Sequence, residues 1–361
     1  MKRLIASLLL FIPLALLIVG INYLVDPANI FHSDVLVQSV FDATASGMNA
    51  DGVSNYNDRL FVEKRIQAMT KAPSYIVLGS SHGAQIDSNI AGADLYNSCV
   101  TGATLEDVTA IYEIYSENEI AAKTVILCVD AWFFDPNRED ERCRLYIPEY
   151  YESFIRKHID ESFTFGGKTS SDLVAIYKEL ISPSYFQSSF ASIVQNGYSA
   201  FTDHRATPTD SPITDRGMVK SDGSYVYPQG YINASESEMQ TRVSDALPAI
   251  VATLAESGGI DENMRAVFEA LVSSILADGS EIILVESPYH PAAYGAVCSD
   301  PNASAALSEV SAYLEAFSAD NGITLIGSYD PAALGLSGDD FIDALHLNYE
   351  ATDELISENL N

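Results

Sequence analysis

The sequence predicts an α/β fold, three-layer α/β/α, with a mainly parallel sheet. Short apolar runs at 74–78, 124–129, 281–285 and 323–326 lack the alternation of a half-exposed strand, so they read as strands buried on both faces. Helix-patterned segments separate them, at 105–117, 262–277 and 303–319. Strands alternating with amphipathic helices require crossover connections, and those give a parallel sheet with helices on both faces. The 361 residues, 47% of them hydrophobic, suffice for a substantial core.

The chain opens with Lys2 and Arg3, followed by an uninterrupted apolar run from Leu4 to Val25. That is about the length a helix needs to cross a bilayer, roughly 20 residues. Basic residues before it and Asp26 and Asp34 after it place the bulk of the chain outside the cytoplasm. An uncleaved membrane anchor at 1–25 is the expectation; a cleaved signal peptide or a buried core helix are the alternatives. Residues 26–70 read as a polar connector ending in a helix at about 59–69, and 71–361 as the main domain. A stretch at about 139–249 breaks the strand–helix rhythm and reads as an insertion. Its tyrosines, among them Tyr146, Tyr150, Tyr151, Tyr185, Tyr198, Tyr225, Tyr227 and Tyr231, either fill a satellite core or line a carbohydrate-binding surface. A closing helix runs from about Asn348, a fitting N-cap, to Asn361.

Charge excludes one class of partner. Fifty acidic against nineteen basic residues give a net charge of −31, which repels a phosphate backbone, so no nucleic acid is expected. Cys99, Cys128, Cys143 and Cys298 lack close-paired ligand spacing, so neither a metal nor another cofactor is expected. An extracytoplasmic location permits a disulfide, and Cys143 with Cys298 is the pair to test because Cys128 lies in an apolar strand.

The chemistry-bearing residues fall at the ends of these elements. Ser81 follows the first strand in Gly79-Ser80-Ser81-His82, where small residues allow a tight turn; an ordinary strand-to-helix turn is the alternative reading. Asp343 and His346 stand three residues apart before the closing helix, close enough for the carboxylate to meet the imidazole across a turn. A serine needs a histidine to take its proton and a carboxylate to orient that histidine, and these three residues supply both. The turn at Gly79 also matches a phosphate-binding loop, but no Lys or Arg adjoins it.

These motifs resemble those of the SGNH, or GDSL-like, hydrolase superfamily. The strand-Gly-x-Ser block matches Val77-Leu78-Gly79-Ser80-Ser81, and the Asp-x-x-His block matches Asp343-Ala344-Leu345-His346. Tyr96 to Thr104 looks like the second block, and the resemblance gives Gly102 the role of an oxyanion donor through its N–H, beside the N–H of Ser81. One block departs: the third usually carries an asparagine that donates to the oxyanion, and here the strand ends in Val129-Asp130-Ala131-Trp132. An ionised aspartate cannot donate, and a missing oxyanion donor costs about 2.7–4 kcal/mol of barrier unless another group replaces it.

The anchor and the Gly-Ser-Ser-His form make the chain similar to a membrane-attached branch that includes bacterial alginate O-acetylation proteins and teichoic acid D-alanine transfer proteins. The resemblance implies a serine esterase or O-acyltransferase of the cell envelope, acting on an acylated glycan or acyl donor, with a multispanning acyltransferase as possible partner. The non-enzymatic alternative is a scaffold or glycan-binding protein that kept the fold. His290, after the third strand, and Trp132, the only tryptophan, are candidates for substrate contact, each with a structural role as the alternative.

Overall fold

The computed structural model describes residues 12–138 and 140–360. Along the chain, α1 (Ile12–Val25) and α2 (Ser33–Ala45) precede β1 (Asn49–Asp51) and α3 (Asp58–Gln67). Next come β2 (Tyr75–Leu78), β3 (Leu95–Asn97), α4 (Leu105–Glu117) and β4 (Thr124–Val129). The middle of the chain holds α5 (Pro148–His158), α6 (Ser170–Lys178), α7 (Pro183–Asn196), β5 (Thr207–Thr209), β6 (Met218–Val219), β7 (Tyr225–Val226) and α8 (Glu236–Ser257). The last part holds α9 (Glu262–Ala277), β8 (Glu281–Glu286), α10 (Pro301–Asn321), β9 (Thr324–Gly327) and α11 (Tyr349–Leu360).

Five strands form a parallel sheet in the order β3-β2-β4-β8-β9. Counted along the chain this is the doubly wound order 2-1-3-4-5, in which the connection reverses direction between the first and third strands. Side chains alternate between two cores, as a period of two requires. Ile76, Leu78, Val125, Leu127, Ile282 and Leu284 enter one; Val77, Ile126, Cys128, Val285 and Ile326 enter the other, against Ile356 of α11. Continuous apolar runs therefore mark strands buried on both faces. β3, too short and polar to stand out in the sequence, completes the sheet edge.

Helix ends follow local chemistry. Thr104 caps α4 in a capping box with Asp107, and the Asn348 side chain accepts the Ala351 N–H at 2.8 Å at the start of α11. Both α4 and α9 have the predicted limits.

The segment expected as a connector is instead structured. α2 buries Leu36, Val37, Val40 and Ala43 in the main core, and β1 joins β5, β6 and β7 in an antiparallel sheet ordered β5-β1-β6-β7. The small sheet thus takes one strand from the expected connector and three from the expected insertion. Local propensity could not reveal it, because each strand is two or three residues long and exists only through its partners.

α1 covers the second half of the expected anchor. Leu4–Phe11 of that run lies outside the described residues, and among the described residues no helix is long and apolar enough to cross a membrane. All four cysteines are free: Cys143 is buried and Cys298 exposed, so the suggested Cys143–Cys298 bridge is not formed.

Gly79 shows why the strand must end as it does. Its φ is +145°, and a Cβ there would lie 2.7 Å from Cys128 Cβ and 2.8 Å from the Cys128 carbonyl oxygen. Gly79→Ala is expected to destabilise the protein by about 2 kcal/mol or more through backbone strain and overpacking, read as a lowered urea midpoint with unchanged slope.

Candidate active site

Ser81 opens a short 3₁₀ turn, Ser81–Gly83, directly beyond the carboxyl end of β2. That end lies beside β4, at the switch point where ligands bind in doubly wound sheets. The turn is fixed from several sides. Buried Ser80 accepts the His82 N–H at 3.3 Å, and Asn97 Nδ2 donates to the carbonyls of Gly83 and Ile86, each at 2.8 Å. The Tyr225 N–H donates to Ala84 at 2.7 Å, tying β7 of the small sheet to the turn.

Asp343 and His346 come from a tight loop closed by a bridge between Phe341 and Leu347 and by the Ile342 N–H on the His346 carbonyl at 2.9 Å. Buried Gln85 donates to the Leu347 carbonyl at 2.7 Å, fastening this loop to the Ser81 segment across 262 positions of sequence. Asp343 folds back on its own loop and accepts the N–H groups of Leu345 and His346 at 2.8 and 2.9 Å.

The three side chains form one line. His346 Nδ1 lies 2.8 Å from Asp343 Oδ2, and His346 Nε2 lies 2.8 Å from Ser81 Oγ. With the carboxylate on Nδ1, the proton sits there and Nε2 is left to accept from the serine. The Tyr231 hydroxyl donates to Asp343 Oδ2 at 2.7 Å. Burial alone would raise the Asp343 pKa, but His346, the Leu345 N–H and Tyr231 hold it well below the usual carboxylate range. The carboxylate stays ionised while its imidazole partner gains a proton.

This line opens into a cleft of about 370 Å³, walled by Tyr56, Tyr225, Tyr227 and Tyr231, with Arg142 and Thr101 on its rim. Tyr227 stacks on Tyr231 with centroids 5.8 Å apart and packs against His346 at 5.7 Å. The tyrosines of the middle region therefore divide. Those at 225, 227 and 231 line the cleft, Tyr151 packs with Phe163 and Phe165, and Tyr185 is buried on Asp26.

Gly102 lies in the loop after β3, with φ +55° and its carbonyl 3.4 Å from Arg142 Nη2. Among the described residues, neither the Ser81 nor the Gly102 N–H is paired with an acceptor. Asp58 and Arg59 hold this loop: Asp58 accepts the Thr101 N–H at 2.6 Å, and Arg59 donates to the Thr101 carbonyl at 2.9 Å.

Trp132 and His290 do not reach the cleft. Trp132 is buried, donates to the Ala103 carbonyl at 2.9 Å and packs against His82, so it is a packing residue and offers no face to a sugar. His290 caps a helix, its Nδ1 accepting the Ala292 N–H at 3.1 Å while its ring packs on Phe341. Its backbone N–H donates to the Ala344 carbonyl at 3.1 Å, so it supports the Asp343–His346 loop from behind.

Sequence reasoning named Tyr231 only as one of the tyrosines of the middle region and missed its bond to Asp343; it also missed Gln85, which reaches its partner only through the fold, and the meeting of His82 with Asp130. That pair is buried, with His82 directly after Ser81 in the turn. His82 Nδ1 lies 2.6 Å from Asp130 Oδ1, too bent for a good hydrogen bond, and His82 Nε2 and Asp130 Oδ2 have no protein partner. The His82 ring meets that of His346 edge-on, centroids 5.3 Å apart. Among the described residues, no group of three or more His, Cys, Asp and Glu side chains is placed to hold a metal ion.

Fold and site together define an α/β protein carrying a hydrogen-bonded Ser–His–Asp line at the switch point of a doubly wound sheet. The chain matches no protein-family model and no curated protein.

Proposed function

We propose that this protein is a serine acyl esterase or O-acyltransferase of the SGNH type, three-layer α/β/α in architecture. It is held at the outer face of a membrane by Leu4–Val25 and acts on acyl groups of a cell-surface glycan. The observation that carries the reading is the line Ser81 Oγ–His346 Nε2–His346 Nδ1–Asp343, two contacts of 2.8 Å, open to a tyrosine-walled cleft. Ser81 Oγ attacks the acyl carbonyl as His346 Nε2 takes its proton, and Asp343 stabilises the imidazolium. His346 then returns the proton to the leaving oxygen, leaving an acyl-serine. The oxygen of water or of a sugar hydroxyl then attacks the acyl carbon as its proton passes to His346 Nε2, and His346 gives that proton to Ser81 Oγ as the acyl–oxygen bond to the serine breaks, freeing the acid or the acylated sugar. In this reading the N–H groups of Ser81, which lines the cleft, and of Gly102, next to Thr101 on its rim, are the oxyanion donors. Tyrosine faces suit sugar rings, which present C–H groups on one side and hydroxyls at the edge. A multispanning acyltransferase is the partner that would deliver the acyl group.

A second reading, a glycan-binding scaffold with weak chemistry, draws on Asp130. The carboxylate stands where the superfamily places an asparagine donor, and it is turned to His82. One experiment separates the two. Wild-type protein is expected to take up a fluorophosphonate probe and to hydrolyse a chromogenic acetyl ester, and Ser81→Ala is expected to lose the label and at least about 10³-fold in rate. Equal background rates in both proteins would favour the scaffold.

A further inference from the structure

We infer that α6 and α7 form, together with α1, a platform that rests in the interfacial layer of a lipid bilayer. The inference rests on reading Leu4–Val25 as a membrane segment. Of the large hydrophobic side chains exposed in the described residues, all but Ile159, Ile213, Leu276 and Tyr349 lie on α1 or between positions 173 and 198. On α6 they are Leu173, Val174 and Tyr177, on one helical face; on and just beyond α7 they are Phe190, Val194 and Tyr198, spaced by four residues. Tyr198 is 80% exposed and Val194 72%, far from the burial such side chains find in a core.

The platform is fastened to the end of α1. Fully buried Asn22 donates to the carbonyls of Glu179 and Leu180 at 3.2 and 3.1 Å and accepts from Ser189 Oγ at 3.2 Å. Buried Asp26 accepts the N–H groups of Ile30, Phe31 and His32 and the Tyr185 hydroxyl, and His204 Nε2 meets the Leu24 carbonyl at 2.9 Å. α6 and α7 therefore keep a set position beside the helix that leads into the apolar run Leu4–Phe11.

Three features identify lipid as the occupant. The apolar surface is continuous with a run long enough, with α1, to span a bilayer. Residues 182–202 contain no charged side chain in a chain of net charge −31, so the acidic surface leaves the α7 part of this patch free. The exposed residues of the patch include Tyr23, Tyr177 and Tyr198, the residue type that settles where hydrocarbon meets headgroup. A groove of about 670 Å³ begins at Tyr23, Leu173 and Tyr177 and shares Asn55, Tyr56, Asp58 and Arg142 with the Ser81 cleft. The groove thus joins the platform to the cleft, a route by which a lipid-borne or membrane-protein-borne acyl group would reach Ser81.

The test uses the full chain in phosphatidylcholine vesicles, with Cys298, the exposed cysteine, changed to serine. An environment-sensitive fluorophore is placed singly through Leu16→Cys, Val194→Cys or Leu276→Cys. Spin-labelled lipid quenches from the bilayer and iodide from water. At Val194→Cys, lipid quenching is expected to exceed that at Leu276→Cys by about threefold or more, with shielding from iodide. If Leu16→Cys is quenched by lipid while Val194→Cys behaves like Leu276→Cys, the anchor stands and the platform falls. Shielding of Val194→Cys from both quenchers would mean that protein, a second copy or another chain, covers the face, and overturns the inference. An unquenched Leu16→Cys removes the membrane reading and the platform with it. None of these outcomes depends on activity, so the catalytic proposal is tested separately.

Discussion

Asp343→Asn is expected to lower kcat for acetyl-ester hydrolysis by about 10⁴-fold while leaving the fold intact. The amide would still fill the site, but its NH₂ facing His346 would favour a proton on Nε2, the atom that must accept from Ser81. The imidazolium formed during attack would also lose its counter-charge. Tyr231→Phe provides the graded comparison. It keeps the stack on Tyr227 and removes only the bond to Asp343, so a loss of about tenfold is expected, in line with about 1.4 kcal/mol for one hydrogen bond to a charged group. The pH dependence has a definite sign. A carboxyl whose folded pKa is depressed adds stability that is fully present above its unfolded value, about 3.9, and is lost as pH falls through the folded value. Asp343 therefore contributes nothing to titration near neutrality, and the acid limb of the rate profile comes from another group. A wild-type profile falling only below pH 3 would contradict this assignment of roles.

Arg59→Ala is expected to cost about 3–5 kcal/mol in urea unfolding, the largest loss from any single polar side chain discussed. Arg59 is fully buried. Its guanidinium meets Asp107 in two bonds of 3.0 and 2.7 Å and Asp58 at 2.9 Å. Burial alone would lower its pKa, but the two carboxylates outweigh this and hold the charge in place. Removing it leaves both carboxylates buried without their counter-charge. The loss should extend to the site, because Asp58 and Arg59 hold Thr101 beside Gly102. A destabilised variant with an unchanged rate per folded molecule would show that the Gly102 loop keeps its place without them.

The parallel sheet was legible because its strands are buried on both faces, and such strands announce themselves as unbroken apolar runs. β4, Thr124–Val129, is buried at every position, and its limits follow directly from that run. α4 and α9 were legible for a similar local reason: each begins at a capping residue, Thr104 and Asp261, whose side chain accepts the first N–H groups. The small sheet was not legible. Ala50 of β1 is fully buried only because Pro208 and Val219 pair beside it, more than 150 positions away. Trp132 and His290 had the right chemistry and the right end of the sheet, but side-chain direction is decided by packing. Trp132 turned inward to the Ala103 carbonyl, and His290 turned to cap its own helix.

The sequence by itself determined the alternation of strands and helices, the carboxyl-end position of Ser81, and the three-residue spacing that lets Asp343 reach His346. Those features depend on periodicity, on the small residues that permit a turn after the strand, and on contacts within a few residues, all of which are written locally. Only the tertiary structure decided that Ser81 and His346, 265 positions apart, meet at 2.8 Å, that Tyr231 steadies the carboxylate, and that Asp130 is turned to His82. Such contacts arise from loop closure, through Gln85 on the Leu347 carbonyl and Tyr225 on Ala84, and from the filling of a shared core. Their energy exists only once distant segments have been brought together.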